Sequence, residues 1–166
     1  MMLTKKINFL ILMLISTLSF AEQADRTKPI QIAADFGSLD QQKEITVWRG
    51  NVVITQGSLR FTADEVIVNR VGDDQQHLIA TGRPVTFQQK LDNKPQYIKG
   101  KGARVEYDSK DSIVILTGNA QVSRDGDVVN GNRITYNTHT EYYTVNRGPK
   151  QRVTVLLQPT TTQKKK

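Results

Sequence analysis

Residues 45 to 69 (ITVWRGNVVITQGSLRFTADEVIVN) return in outline 68 positions later, as residues 113 to 137 (IVILTGNAQVSRDGDVVNGNRITYN). Without a gap, Ile45 falls on Ile113, Gly50-Asn51 on Gly118-Asn119, Phe61 on Val129, Asp64 on Asn132, Val66 on Ile134 and Asn69 on Asn137. The same shift carries Ile30 to Ile98, Asp40 to Asp108 and Val85-Thr86 to Val153-Thr154. Self-similarity at a fixed period points to an architecture built by stacking units that share one core.

The unit is made of β-structure. Between Ile30 and Leu157 no apolar spacing of i, i+3, i+4, i+7 is sustained, whereas alternation with period two recurs throughout. Thr46, Trp48, Val52 and Ile54 share one parity, Leu59, Phe61 and Ala63 alternate next, and Val66 and Val68 follow. Polar or glycine punctuation arrives every eight to twelve residues, which predicts short strands in a sandwich or barrel. Asp125-Gly126 and Asn130-Gly131 suit two-residue hairpin turns, and Gly72-Asp73-Asp74 and Asp92-Asn93-Lys94-Pro95 mark longer ones. The Gly-Asn pairs at 50 and 118 sit inside strand patterns, so each reads as a bulge or sheet corner. Pro29, Pro84, Pro149 and Pro159 are read at segment starts or ends. A half-length echo, an apolar pair closed by Asp or Asn and then a strand running to Gly, starts at Asp40, Asn69, Asp108 and Asn137 and reaches Gly50, Gly82, Gly118 and Gly148. Four rungs stacked along one axis, unlike a closed barrel, leave two edge strands.

At the start, Lys5 and Lys6 precede a 12-residue apolar run from Ile7 to Leu18, and Ser19-Phe20-Ala21 follows as a cleavage pattern. Residues 1–21 therefore read as a cleavable secretory signal peptide, the run being too short for the roughly 20 residues that span a bilayer. Residues 22–159 are expected to form one domain and 160–166 a flexible basic tail ending in Lys164-Lys165-Lys166. Cleavage removes Lys5 and Lys6 from 23 cations set against 16 acids and leaves a net charge of +5, interspersed along the sequence. With no Cys in the chain, neither a disulfide framework nor a lipid-modified cysteine is available.

The residues hold little for catalysis. His77 and His139 each stand among polar neighbours without a metal-ligand partner at helical spacing, no nucleophile elbow occurs, and Gly100-Lys101-Gly102 lacks the rest of a phosphate loop. Asp64 and Asp108 resemble a carboxylate pair, yet Asn132 and Asn137 occupy matching or related repeat positions, which suits residues that hydrogen-bond a turn or corner. The reading is therefore non-enzymatic, with no cofactor and no metal. A single-strand nucleic-acid binder and a purely structural β-repeat are the competing classes; export argues against the first, and no nucleic-acid partner is expected. What remains is an apolar face carrying Trp48, Phe61, Phe87, Tyr107 and Tyr136 among aliphatic residues. By pattern alone it is either a filled core or a groove open on one side.

One resemblance bears on that choice. Pro29-Ile30-Gln31-Ile32, the run from Gly50 to Gly57 (GNVVITQG), Ala63-Asp64, Gly82-Arg83-Pro84-Val85-Thr86-Phe87, Tyr107 and Leu116-Thr117-Gly118-Asn119-Ala120 resemble the LptA family, the OstA-like periplasmic bridge proteins of lipopolysaccharide transport. The likeness covers essentially the whole chain after residue 21. It implies an all-β, open antiparallel jellyroll folded like a taco around an apolar groove, in the periplasm. It also implies lipopolysaccharide as ligand, held by its acyl chains. The implied partners are further copies of the chain, joined head to tail, and inner- and outer-membrane transport proteins carrying the same domain. Ile30, Ile32, Phe87 and Tyr107 match groove positions of that family, and Ser109 stands where an apolar residue is expected. With them, Trp48, Val52, Ile54, Phe61, Val66, Val68, Val105, Leu116, Ile134 and Tyr136 are expected to line the groove. The expected edges for assembly are Ile30, Gln31 and Ile32 at one end and Val153, Thr154, Val155, Leu156 and Leu157 at the other, neither defended by charge.

Overall fold

The computed structural model describes residues 25, 28–71, 75–91, 95–137, 140 and 142–159; the signal segment, the basic tail, Gly72-Asp73-Asp74, residues 92–94 and His139 lie outside them. Ten strands form one antiparallel sheet: β1 (Gln31–Ala33), β2 (Phe36–Asp40), β3 (Ile45–Gln56), β4 (Leu59–Val71), β5 (Gln75–Lys90), β6 (Tyr97–Asp108), β7 (Ile113–Arg124), β8 (Asp127–Asn137), β9 (Tyr143–Asn146) and β10 (Thr154–Leu156). The order runs from β1 and β2, both on β3, through β4, β5, β6 and β7 to β8, which carries β9 and β10. The sheet is open, with an edge at each end.

The repeat survives in the pairing itself. Gln31 lies opposite Thr55 and Lys99 opposite Ser123; Phe36 faces Arg49 and Arg104 faces Thr117; Gln56 faces Leu59 and Arg124 faces Asp127. Each second pair is the first moved by 68, so β1 and β2 together correspond to β6, β3 to β7 and β4 to β8. On the far side Thr62 faces Thr86 as Asn130 faces Thr154, making β10 the counterpart of the second half of β5. Val68 faces Leu78 as Tyr136 faces Tyr143, making β9 the counterpart of its first half.

The six central strands are 11 to 16 residues long, longer than the punctuation suggests, because the glycines bend them without ending them. Gly50-Asn51 and Gly118-Asn119 all have positive φ (75°, 47°, 82° and 49°), and the register shifts at both pairs, as a bulge requires. Further shifts fall between Thr62 and Glu65, Thr81 and Val85, and Lys101 and Arg104, so irregularities cross the sheet in one line. Along that line the sheet turns over on itself. Pro84 corrects one expectation: it lies within β5 and not at a segment end, tolerated because it sits in the bulge, where no ladder bond is required of it. Asn130-Gly131 corrects another, being paired inside β8 opposite Gln121 and Ala120, while Asp125-Gly126 makes the hairpin with φ of 53° and 87°.

Three of the four echo residues stand at the hairpins of one end, while Asn69 lies within β4 opposite Ile45 and His77 with its Oδ1 buried and unpartnered. Asp40 Oδ1 accepts the N–H groups of Gln42 and Lys43 at 3.0 Å, Asp108 Oδ1 those of Lys110 and Asp111 at 2.9 and 3.2 Å, and Asn137 Oδ1 that of Thr140 at 2.8 Å. At the opposite end Asp25, before the first strand, and Gln158, after the last, clip onto hairpins. Asp25, 7% exposed, accepts from the N–H and hydroxyl of Ser58, and Gln158 donates from its N–H to Asp127 and from its side chain to the Gly126 carbonyl.

Candidate functional site: an apolar inner face between two open edges

Folding along the bulge line brings one face of the sheet inward. Val52, Ile54, Ala63, Val85 and Ala120 from one side of the line and Val66, Val68, Ala80, Val105, Val114, Leu116 and Ile134 from the other form a single buried cluster. Ile30, Ile32, Trp48, Phe61, Leu78, Phe87, Tyr107, Val122, Val129 and Val145 pack around it, half-buried. Of the fourteen residues expected to face inward, Val52, Ile54, Val66, Val68, Val105, Leu116 and Ile134 are in the closed centre, six others form its rim, and Tyr136 is partly buried opposite Val114 and Tyr143. The centre is packed shut, with Val66, Ala80 and Val85 wholly covered.

The rim is built by pairing large residues with missing ones. The Phe87 ring lies where a side chain at Gly100 would stand, and the Trp48 ring does the same over Gly37; both glycines are cross-strand partners of those aromatics. Tyr107 lies between Leu78 and Val114 with its hydroxyl buried and unpartnered. Burial pushes its pKa up, the Asp108 carboxylate adding to the effect, so the phenol is held neutral. Ser109 is not in the lining: its hydroxyl accepts the Gln76 N–H at 2.7 Å and its own N–H donates to Gln76 O, closing the end of the β5–β6 pair. Sequence reasoning missed Leu78, Val122, Val129 and Val145, whose parity places them on the same face.

The edges are also wider than expected. The first comprises β1 and β2, with Leu39 51% exposed on the inner face; the second comprises β9 and β10, with Tyr143 55% and Val155 55% exposed there. Leu156 and Leu157 are exposed too, and none of the described residues covers them. Sequence reasoning found the β1 and β10 portions and overlooked β2 and β9.

No acid–base or metal constellation accompanies this face. Among the described residues no group of three His, Cys, Asp or Glu converges, and Asp64 pairs with Arg83 at 3.5 Å on the surface while Asp108 serves its hairpin. His77 lies in β5 opposite Asn69 and Asp108.

An open antiparallel sheet, folded on an apolar inner face and ending in two edges unpaired among the described residues, defines a carrier or scaffold class in which the interior runs out to each end. The family described as "LptA/(LptD N-terminal domain) LPS transport protein" matches residues 31–142. The lipopolysaccharide export system protein LptA of Haemophilus influenzae is 37% identical over 99% of this chain and 98% of its own length, and LptA of Escherichia coli K12 is 35% identical over 89% and 80%. The crystal structure of LptH from Pseudomonas aeruginosa, described as the LptA-homologous periplasmic component of the lipopolysaccharide transport device, superposes with a TM-score of 0.72 at 28% identity, covering 81% of this chain and 99% of that one. The chain belongs to the LptA family of lipopolysaccharide transport proteins.

Proposed function

We propose that the exported chain works in the periplasm as a non-catalytic bridge, sheltering the acyl chains of lipopolysaccharide against its inner face and passing them along a row of copies from inner to outer membrane. The observation that carries this reading is the agreement between the two open edges and the closed joint between the repeats. β5 and β6 pair inside the chain, and β9/β10 and β1/β2 are their counterparts, so a second copy continues the sheet by repeating that joint. In its register Val155 faces Ile32 of the next copy as Phe87 faces Gly100, and Tyr143 faces Leu39 as Leu78 faces Tyr107. Both contacts join apolar residues on the inner face, Ile32 partly buried and Leu39, Tyr143 and Val155 half-exposed, which makes the interior of the row continuous. Because the two edges differ, the contact is heterologous and extends without closing. Membrane-bound partners with the same domain would use the same edges.

Lipid binding is driven by burial, about 0.8 kcal/mol for each CH₂ removed from water, partly offset by the cost of ordering the chains. Since the centre is packed, the acyl chains enter along the rim of Ile32, Trp48, Phe61, Phe87 and Tyr107 and part the two sides. The buried Tyr107 hydroxyl is a donor for a polar group of the lipid. In a binding assay with purified lipopolysaccharide, Phe87→Glu and Tyr107→Asp should each abolish retention while far-UV circular dichroism keeps its β signal. Normal retention by both variants would remove the inner face as the binding surface.

A further inference from the structure

The outer face of the sheet is sorted by charge, although the charges are interspersed in sequence. On the hairpin-rich side of the bulge line acids stand among the cations: Arg49 pairs with Glu65 and Arg104 with Glu106 at 2.7 Å, and Arg133 has no ion-pair partner among the described residues. On the other side, the two cross-strand rows through Lys99 and Lys101 contain no Asp or Glu anywhere from Gln31 and Ala33 on β1 to Leu156 and Thr154 on β10. Arg60, Lys99 and Lys101 project from these rows, exposed, and have no ion-pair partner among the described residues. Asp125, in the hairpin beyond Ser123, is engaged by the Gln96 side chain at 2.9 Å.

These three cations ring a hollow of about 310 Å³. Its shape follows from side-chain length: Thr86 and Ser123 are short, Gly100 has no side chain, and the long cations stand around them with Gln88 and Gln121 between. The Phe87 ring fills the inner side of Gly100, so the floor is closed from behind. Thr86 is fixed by a 2.6 Å bond between its hydroxyl and that of Thr62, and the Gln121 amide by a 2.7 Å bond to Asn130. The hollow thus offers three unneutralised positive charges beside hydroxyl and amide groups, and no negative charge.

We propose that this hollow is a binding site for a phosphorylated sugar, the guanidinium of Arg60 and the ammonium groups of Lys99 and Lys101 holding the phosphate and the Gln88, Gln121 and Ser123 side chains meeting sugar hydroxyls. Charge-assisted bonds to phosphate are the strong ones, and Arg adds bidentate geometry. The site lies on the opposite face of the sheet from the acyl-chain rim and does not depend on it.

The test is titration of the ¹⁵N-labelled chain with glucose 6-phosphate, inorganic phosphate and glucose, followed by amide chemical shifts. Glucose 6-phosphate should move amides at 60, 86–88, 99–101 and 121–123 saturably, inorganic phosphate should move the same set more weakly, and glucose alone should leave it still. Vesicles of phosphatidylcholine with and without phosphatidylinositol 4-phosphate then separate the sources. Binding to the doped vesicles in place of soluble glucose 6-phosphate makes a lipid headgroup the ligand, and the reverse makes it a free sugar phosphate; either supports the site. The triple variant Arg60→Gln/Lys99→Gln/Lys101→Gln, altered only at exposed positions, should weaken binding about a hundredfold, each exposed charged contact being worth roughly fivefold, while still retaining lipopolysaccharide. Shifts scattered over lysines elsewhere, a loss below about threefold in the triple variant, or binding of a single-stranded DNA oligomer without any response to glucose 6-phosphate would overturn the proposal.

Discussion

The β5–β6 joint and the pair of free edges are the same structure in two states. At the joint, Leu78 and Tyr107 face one another within a closed rim, and Ala80 and Val105 behind them are buried. At the edges their counterparts Tyr143 and Leu39 stand 55% and 51% exposed, and Val145 and Gly37 take the places of Ala80 and Val105. Two differences separate the copies: β5 runs unbroken through its bulge, whereas the equivalent stretch between Asn146 and Thr154 leaves the sheet and splits β9 from β10, and β6 is continuous where β1 and β2 part at Ala34-Asp35. A repeat protein normally caps its last unit with a polar face. Here none of the described residues caps either end, and the two edges have the form of the two halves of the β5–β6 joint.

That contrast can be broken from the closed side first. Leu116→Ala, at a position 1% exposed one strand from the joint, should cost about 2–5 kcal/mol in urea unfolding, because a cavity opens where both sides of the bulge line meet. A smaller loss is expected at the corner itself. Gly118→Ala must hold φ of 82° with its Cβ 2.8 Å from that of Ala103, which should cost about 1–3 kcal/mol, and Gly50→Ala in the first copy should behave alike. Leu39→Ala sharpens the comparison from the open side: half-exposed, it should leave unfolding within about 0.5 kcal/mol of the parent, yet weaken self-association in sedimentation velocity by roughly tenfold. Asp40→Asn should do least. The Lys43 backbone N–H, with its ammonium group beside it, lowers the Asp40 pKa below 3.8, so its contribution is present above that value and lost as pH falls through the folded pKa. The small difference in Tm between parent and variant at pH 7 should therefore shrink as the pH falls through the lowered folded pKa.

The two-copy plan, the antiparallel sheet, the bulges at both Gly-Asn pairs and most inner-face residues were legible because period two and an exact offset leave little choice of face. Strand length was not, since a glycine that bends a strand and one that ends it look alike until the partner strand is known. Asn130-Gly131 carries the same turn chemistry as Asp125-Gly126, and only pairing to Gln121 and Ala120 distinguishes them. Pro84 misled for the same reason. The edges were half legible: Ile32 and Val155 sit in apolar runs, whereas Phe36 to Asp40 and Tyr143 to Asn146 became edges only through the register of β3 and β8. The charge sorting of the outer face had no sequence signal at all, because residues sharing a cross-strand row are far apart in the chain.

The chain contains no cysteine, so the central claim can be tested by placing two. Directly opposed residues in an antiparallel pair have Cα atoms about 4.5–5.5 Å apart, within disulfide reach. Oxidation of Ile32→Cys/Val155→Cys, and separately of Leu39→Cys/Tyr143→Cys, should give a ladder of covalent multimers on a non-reducing gel. Ala33→Cys/Val155→Cys, slipped by one residue and facing opposite sides of the sheet, should stay a single band. Absence of a ladder from both in-register pairs, or an equal ladder from the slipped one, would contradict the proposal that the edges re-form the β5–β6 joint between copies.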